Sequence, residues 1–466
     1  MNQTVTAGAM VPHPPIILPN IGQGEETKIQ NIADAYRQAA REIIDSGPDT
    51  ILIVSPHAPC YFDYIQISDG PAGHGSMAQF RDPADSFRIP YDQELIRKTA
   101  SLCEQAGIPA GTLGKQDGSL DHGTMVPLYF LQEALKAAPE GTRQPAFVRI
   151  GTGGPNSRMH YRVGQLFAQA AAELGRKIAV VGSGDLSHCQ KEGSGYGFKP
   201  EGPAYDAMIM DIMGKGDFLS LLAIPEQTAE AAMVCGQKPF ALMAGVLDGL
   251  KPRTENLGHS AEFGVGYGVV TYTNPVPDAS RAFLEPAEEA ARKQYEARIG
   301  KEDPYVKAAR AVISQFVLEG TVPQLDPVAD EAAGVFVSVH KDGQLRGCIG
   351  TTEPVTKNVT TEIMQNAVSA VSRDPRFPAV QPWELEDLDI SVDVLQPAQP
   401  IDSPDQLDVK KYGVIVSKGN RRGLLLPDLE GVDTVEKQLE IAKQKAGLSP
   451  HETGCQLERF EVVRHR

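Results

Sequence analysis

The sequence predicts an α/β N-terminal domain, a mixed sheet between helices, followed by a smaller α+β C-terminal domain. Three observations carry that expectation. The chain has 466 residues, more than one ordinary hydrophobic core organises. Residues 1–275 alternate short apolar runs with alanine-rich helical stretches, the texture of a parallel or mixed sheet lying between helices. From residue 303 onward the pattern changes to hairpin strands closed by a helix.

Taken in order, the apolar runs VTAGAMVP, TILIV and KIAVV read as buried strands, and GSLDHGTMVPLYFLQEAL as a Gly/Asp loop opening an amphipathic helix. NPVPDAS (274–280) reads as a Pro-punctuated exit, and residues 276–302 as a charged helical connector. The second domain, 303–466, starts with a helix at YVKAARAVISQFVLEG. A hairpin follows: GVFVSVH, the turn KDG, then QLRGCIGT. DISVDVLQP and GVIVS alternate as half-buried strands do, and VEKQLEIAKQKAGL is a closing helix with Gly447 near its end.

Composition excludes several classes. Hydrophobic residues at 41% and charged residues at 22% are those of a soluble globular protein. No apolar run reaches the roughly eighteen residues that span a bilayer, and MNQTVTAGAMVPHPP lacks the basic start of a signal peptide. A net charge of −16 with no Lys/Arg-rich run argues against nucleic acid as a partner. The six cysteines are scattered without CxxC pairs, so a reducing, cytoplasmic setting is expected.

Four of the ten histidines occupy informative places. His13, His57 and His188 follow the three apolar strands, and His122 stands in the Gly/Asp loop. In open α/β sheets ligands bind beyond the carboxyl ends of the strands, so strand-end histidines face one region. One histidine after a strand is most often an ordinary loop residue. Several in equivalent positions favour a site. His74, His160, His259, His340, His451 and His465 have no such setting. A metal ion is the natural use of His13 and His57, because neutral imidazole binds iron, zinc, copper and nickel alike. For a third ligand the residues leave Glu230, Cys235 and Glu262 open. Burial as a small apolar residue is the equal alternative for Cys235.

VPHPP, VSPHAP, DHGTMVPL, SGDLSH and CGQKPF, in that order across residues 5–273, resemble the class III extradiol ring-cleavage dioxygenases and, more closely, their Memo-like relatives. The resemblance implies that His13 and His57 are metal ligands, His188 an acid/base residue, and His122 a contact to substrate or oxygen. Where ring-cleaving members carry a glutamate, this chain aligns Cys235, as Memo-like proteins do. The implied metal is Fe(II), with zinc or copper admitted by the thiolate.

LRGCIGT (345–351), DPRFPAV, ISVDVL and GLLLPDLEGV make the C-terminal part similar to the AMME-chromosomal-region family. That family occurs beside Memo-like and radical SAM proteins, which implies a radical SAM protein as a partner. By strand alternation Arg346 and Cys348 share one face, with Leu345 and Ile349 on the other. A guanidinium beside a thiol makes Cys348 a candidate nucleophile, against the plainer reading of a buried thiol in a Gly-flanked strand.

The leading functional expectation is a non-haem metal enzyme acting on a small phenolic or catecholic compound. The alternatives are a metal hydrolase using the same pocket without O2, and a metal-binding accessory protein for a radical SAM enzyme. A homo-oligomer is left open.

Overall fold

The computed structural model describes residues 4–116, 118–429 and 431–466. By internal contacts the chain falls into two compact units, Met1–Ala291 and Arg292–Arg466.

The first unit is built on six strands: β1 Val5–Val11, β2 Thr50–Ser55, β3 Ala146–Gly151, β4 Ile178–Ser183, β5 Leu250–Ser260 and β6 Tyr267–Pro277. Their order is β3-β2-β4-β1-β6-β5. The first four run parallel, while β6 and β5 are antiparallel additions. The sheet is therefore mixed, as the sequence predicts. Every residue of β2 and β4 is buried, because helices cover both faces of the parallel part. One layer holds α1 Gln30–Asp45 and α2 His122–Ala137, joined where Tyr36 stacks on Phe130 at 4.1 Å between ring centres. The other holds α3 Ser157–Leu174 and α4 Gln237–Val246. These two approach so closely that a Cβ on Gly164 or Gly245 would strike the facing backbone.

The exit expected at NPVPDAS begins later than the sequence suggests, since β6 runs to Pro277. Asn274 takes φ 47° and the pairing with β5 shifts between Thr273 and Val276. Such a bulge lets a proline sit in a strand without forfeiting a ladder bond. The connector then forms the helix Leu284–Ile299, and its Leu284 and Ala287 belong to the first unit's core.

The second unit is α+β. Helix α5 Pro304–Glu319 precedes the hairpin β7 Val335–Lys341 and β8 Gln344–Gly350. Asp342 and Gly343 turn it with φ 52° and 76°, both positive as a tight hairpin turn requires. Helix α6 Val359–Ser372 and strand β9 Leu388–Leu395 follow. Then come β10 Gln399–Ile401, β11 Gly413–Lys418, β12 Arg421–Leu425, α7 Val435–Lys445, β13 Gln456–Phe460 and β14 Val462–His465. They form two sheets, β8-β7-β9-β14 and β10-β13-β11-β12. Val335, Val337 and Val339 are fully buried in the core that α5 and α6 share with the first sheet.

Candidate metal centre

Strands β2, β4 and β1 are adjacent and parallel, so their carboxyl ends share one edge. His13 lies two residues beyond β1, His57 two beyond β2 and Asp185 two beyond β4. His188 follows on the same loop as Asp185. His122 is the first residue of α2, whose N-cap Asp121 accepts hydrogen bonds from the Thr124 amide and hydroxyl and from the Ser55 hydroxyl. The cap thus ties the start of α2 to the end of β2.

These elements bring His13, His57 and His122 together, with one ligand atom of each within 4.8 Å of the others. His13 Nε2 stands 3.1 Å from His57 Nε2 and 3.6 Å from the Cys235 sulfur. The rings of His57 and His122 are 4.2 Å apart. His13 and Asp185 form a buried floor, whereas His57 is exposed at the rim.

The hydrogen bonds fix which nitrogen is free. Ser183 Oγ donates to the Gly123 carbonyl at 2.6 Å, so its remaining contact, 3.0 Å from His13 Nδ1, accepts that ring's N–H. His13 Nε2 is left with its lone pair turned toward His57 and Cys235. In the same way His188 Nδ1 donates to the Met233 carbonyl at 2.5 Å and frees Nε2. Met233 holds φ 55°, an uncommon backbone state for a side chain of its size.

Cys235 reaches the site through a backbone crossing. A Cβ on Gly184 would run into Gly236 Cα, and one on Gly236 would meet the Phe240 ring and the Asp185 carbonyl. Only a glycine pair allows this approach. It places the Cys235 sulfur 3.3 Å from the Asp185 amide, which donates to it.

The electrostatics keep the imidazoles neutral. Burial, then His57, His122 and His188, hold His13 well below the usual histidine value. Loss of solvent, with His57 second, takes His122 down to about 4, and it also lowers His57 and His188. Burial pushes the Cys235 thiol up, and Asp185 pushes in the same direction. Burial raises Asp185 to about 7, against the His13 amide that donates to Oδ1 at 2.8 Å.

The three histidines fit a metal ion by their mutual spacing, and Cys235 adjoins them through its contact with His13. Ligands at about 2.0–2.3 Å around one tetrahedral ion lie ~3.3–3.6 Å from one another. The His13–His57 and His13–Cys235 separations fall at or close to that range. The carboxylates that the sequence left open lie elsewhere: Glu230 is exposed, and Glu262 is an exposed partner of Lys191. Sequence reasoning missed Ser183, which sets the His13 tautomer, and Asp185, which holds its backbone. Both lie in the run GSGDLSH, Ser183 as the last residue of β4 and Asp185 between it and a histidine already singled out.

Residues 7–270 match the family model of the catalytic LigB subunit of aromatic ring-opening dioxygenase. Residues 306–465 match the AMMECR1 family model. A protein of Clostridium acetobutylicum is 38% identical over 470 residues, covering 98% of each chain. A Thermotoga maritima protein is 52% identical over 171 residues, 35% of this chain and 98% of its own. Among solved structures, an uncharacterised protein of Pyrococcus horikoshii covers 34% of this chain and 88% of its own, at 29% identity and TM-score 0.33. An uncharacterised protein of Escherichia coli covers 57% of this chain and 99% of its own, at 15% identity and TM-score 0.40. The chain belongs to the LigB family of metal-dependent, dioxygenase-like proteins, the class III extradiol and Memo-like group. It is the form that carries an AMMECR1 domain after the LigB domain.

In the second unit the structure corrects the expectation for Arg346 and Cys348. The β7–β8 register shifts between Val339 and His340, and Arg346 is the extra residue of that bulge. The bulge turns Arg346 to the face opposite Cys348 and returns Leu345 to the Cys348 side. Arg346 is buried and grips Glu384 with two hydrogen bonds of 2.9 and 3.0 Å, besides the Pro378 carbonyl at 2.8 Å. It therefore does not activate Cys348. Arg376 is a cation that does act on that thiol, and burial pushes the thiol up despite it and the 3.2 Å bond from Ser338. DPRF serves as a clamp: Asp374 accepts from Arg376 and from the Cys348 amide. Among the described residues no helix is long and apolar enough to cross a membrane.

Proposed function

We propose that the first unit is a metal-dependent enzyme of the extradiol type acting on a small phenolic or catecholic substrate, with His13, His57 and Cys235 as the metal ligands. The observation that carries this reading is the Ser183-fixed tautomer of His13, which aims a free Nε2 at His57 and the Cys235 sulfur. A bound metal would supply Lewis acidity toward a phenolic oxygen and, if it is Fe(II), access to O2.

The chain's own residues supply the rest. His188 Nε2, freed by the Met233 carbonyl, accepts the phenolic proton and returns it later. His122, kept neutral, faces the same space and offers a hydrogen bond to a substrate oxygen. Phe80 beside His122 and Tyr196 beside His188 give an aromatic substrate edge-on contacts. A thiolate donor suits zinc as well as iron, which favours a second reading, hydrolytic cleavage without O2.

The test is metal analysis of anaerobically purified protein followed by a catechol panel with and without O2. O2-dependent ring cleavage supports the first reading. Cleavage that proceeds equally without O2 replaces it with the second, and a metal-free protein removes both.

A further inference from the structure

We propose that the cleft between the two sheets of the second unit is a separate ligand site that takes a small amphiphilic organic anion. The cleft measures about 1470 Å³, above the ~300–1,000 Å³ of most small-molecule sites. It has room for an aromatic or cofactor-sized body.

One wall is polar by construction. Pairing across β8, β7 and β9 sets Cys348 beside Ser338 and Ser338 beside Ser391. The next rows hold Phe336, Asp393 and Arg464, then His340 and Asp389. All of these line the cleft. The opposite face of the same strands carries the buried Val335, Val337 and Val339, so alternation sorts apolar residues to the helices and polar ones to the cleft. The facing wall is apolar over Leu424, Leu426, Leu429 and Ile441 and ends in a cation, Lys445, one helical turn beyond Ile441. A polar face covered by an apolar one suits a ligand with one side of each kind.

Charge selects the sign of that ligand. Seven Lys/Arg and five Asp/Glu line the cleft among the described residues, in a chain whose net charge is −16. Asp393 holds Arg464 at 2.8 and 3.0 Å, and Asp374 holds Arg376 at 2.6 Å. Lys445 has no ion-pair or hydrogen-bond partner among the described residues, and it interacts electrostatically with Cys348 and Arg376. Lys445 is solvent-facing at the cleft, and such a cation beside a second one draws an incoming anion by its field. The anionic group therefore sits at Lys445, with the Cys348 thiol alongside as a reporter.

The test uses full-length protein and the dye 8-anilinonaphthalene-1-sulfonate, an aromatic body with one sulfonate. Iodoacetamide labelling of Cys348 is followed by mass spectrometry, with the exposed Cys60 as internal reference. At ten times its Kd the dye should slow Cys348 labelling about tenfold by mass action and leave Cys60 unchanged. The neutral N-phenyl-1-naphthylamine should protect less. Lys445→Glu should weaken dye protection about tenfold, as charge reversal at close range implies, and Lys445→Arg should retain it. Equal labelling of Cys348 with and without dye overturns the site. So does a Cys348 that reacts only in denaturant, because the cleft is then closed to small molecules. Equal protection by the neutral dye, or by the Lys445→Glu protein, overturns the anion assignment.

Discussion

Cys235 and Cys348 are both half-buried thiols, and burial pushes each above the value of a free cysteine. Their neighbours differ. Cys235 faces the His13 imidazole, itself held neutral, with a carboxyl group, Asp185, that disfavours its ionisation. Neutral donors beside a thiol lack the positive charge a thiolate needs, and a bound metal ion would supply it. Cys348 faces fixed cations, Arg376 and Lys445, and a carbon-lined wall across a cleft. Fixed charge of that kind receives an anion. Two thiols with similar burial therefore point to different chemistries, and the groups around the sulfur decide which.

The largest expected effects break the first half of that comparison. His57→Ala should lose metal and turnover together, measured by elemental analysis and by assay. His188→Ala should keep nearly all its metal and lose about 10²–10⁴-fold in turnover, the usual contribution of a general acid/base. Equal metal loss in both would make His188 a ligand instead.

The next effect separates Arg346 from Cys348. Arg346→Ala leaves the buried Glu384 carboxylate without its main partner, a change that costs about 3 kcal/mol in denaturant unfolding. The figure is at the low end because Lys341 remains 3.8 Å away. Cys348→Ala should cost clearly less. A neutral Arg346→Ala would mean that the bulge does not bury this ion pair.

A smaller effect concerns pH. His13, His57, His122 and His188 all have folded values below 6.5, His122 at about 4. Between those values the unfolded chain binds more protons, so the metal-free protein loses stability as pH falls from 6.5 toward 4. Asp185, raised to about 7, acts oppositely over the same window. Four histidines outweigh one carboxyl group, and stability in urea should still fall with acidification. A metal-free protein as stable at pH 4.5 as at pH 7 would contradict the neutral cluster. The smallest expected effect belongs to Glu230→Gln and Glu262→Gln, exposed residues that should change stability within about 0.5 kcal/mol and metal content not at all.

The fold class and the common edge of the histidine strands were legible because buried parallel strands leave unbroken apolar runs, such as TILIV and KIAVV, each with its histidine just beyond. What lay outside the sequence was local backbone geometry. Alternation assigns Arg346 to the Cys348 face only while the strand is regular, and one extra residue reverses the assignment. The bulge at Asn274 likewise carries a strand past prolines that read as its end. The role of Ser183 depends on a hydrogen bond to the Gly123 carbonyl, sixty positions away in the chain, which no local pattern encodes.

The most direct test of the central claim is X-ray absorption at the edge of whichever metal the purified protein carries. The account predicts imidazole nitrogens together with one sulfur at about 2.3 Å, with the sulfur shell lost in Cys235→Ser. A metal surrounded by nitrogen and oxygen alone in the wild-type protein would contradict it, and would make His122 the third ligand in place of Cys235.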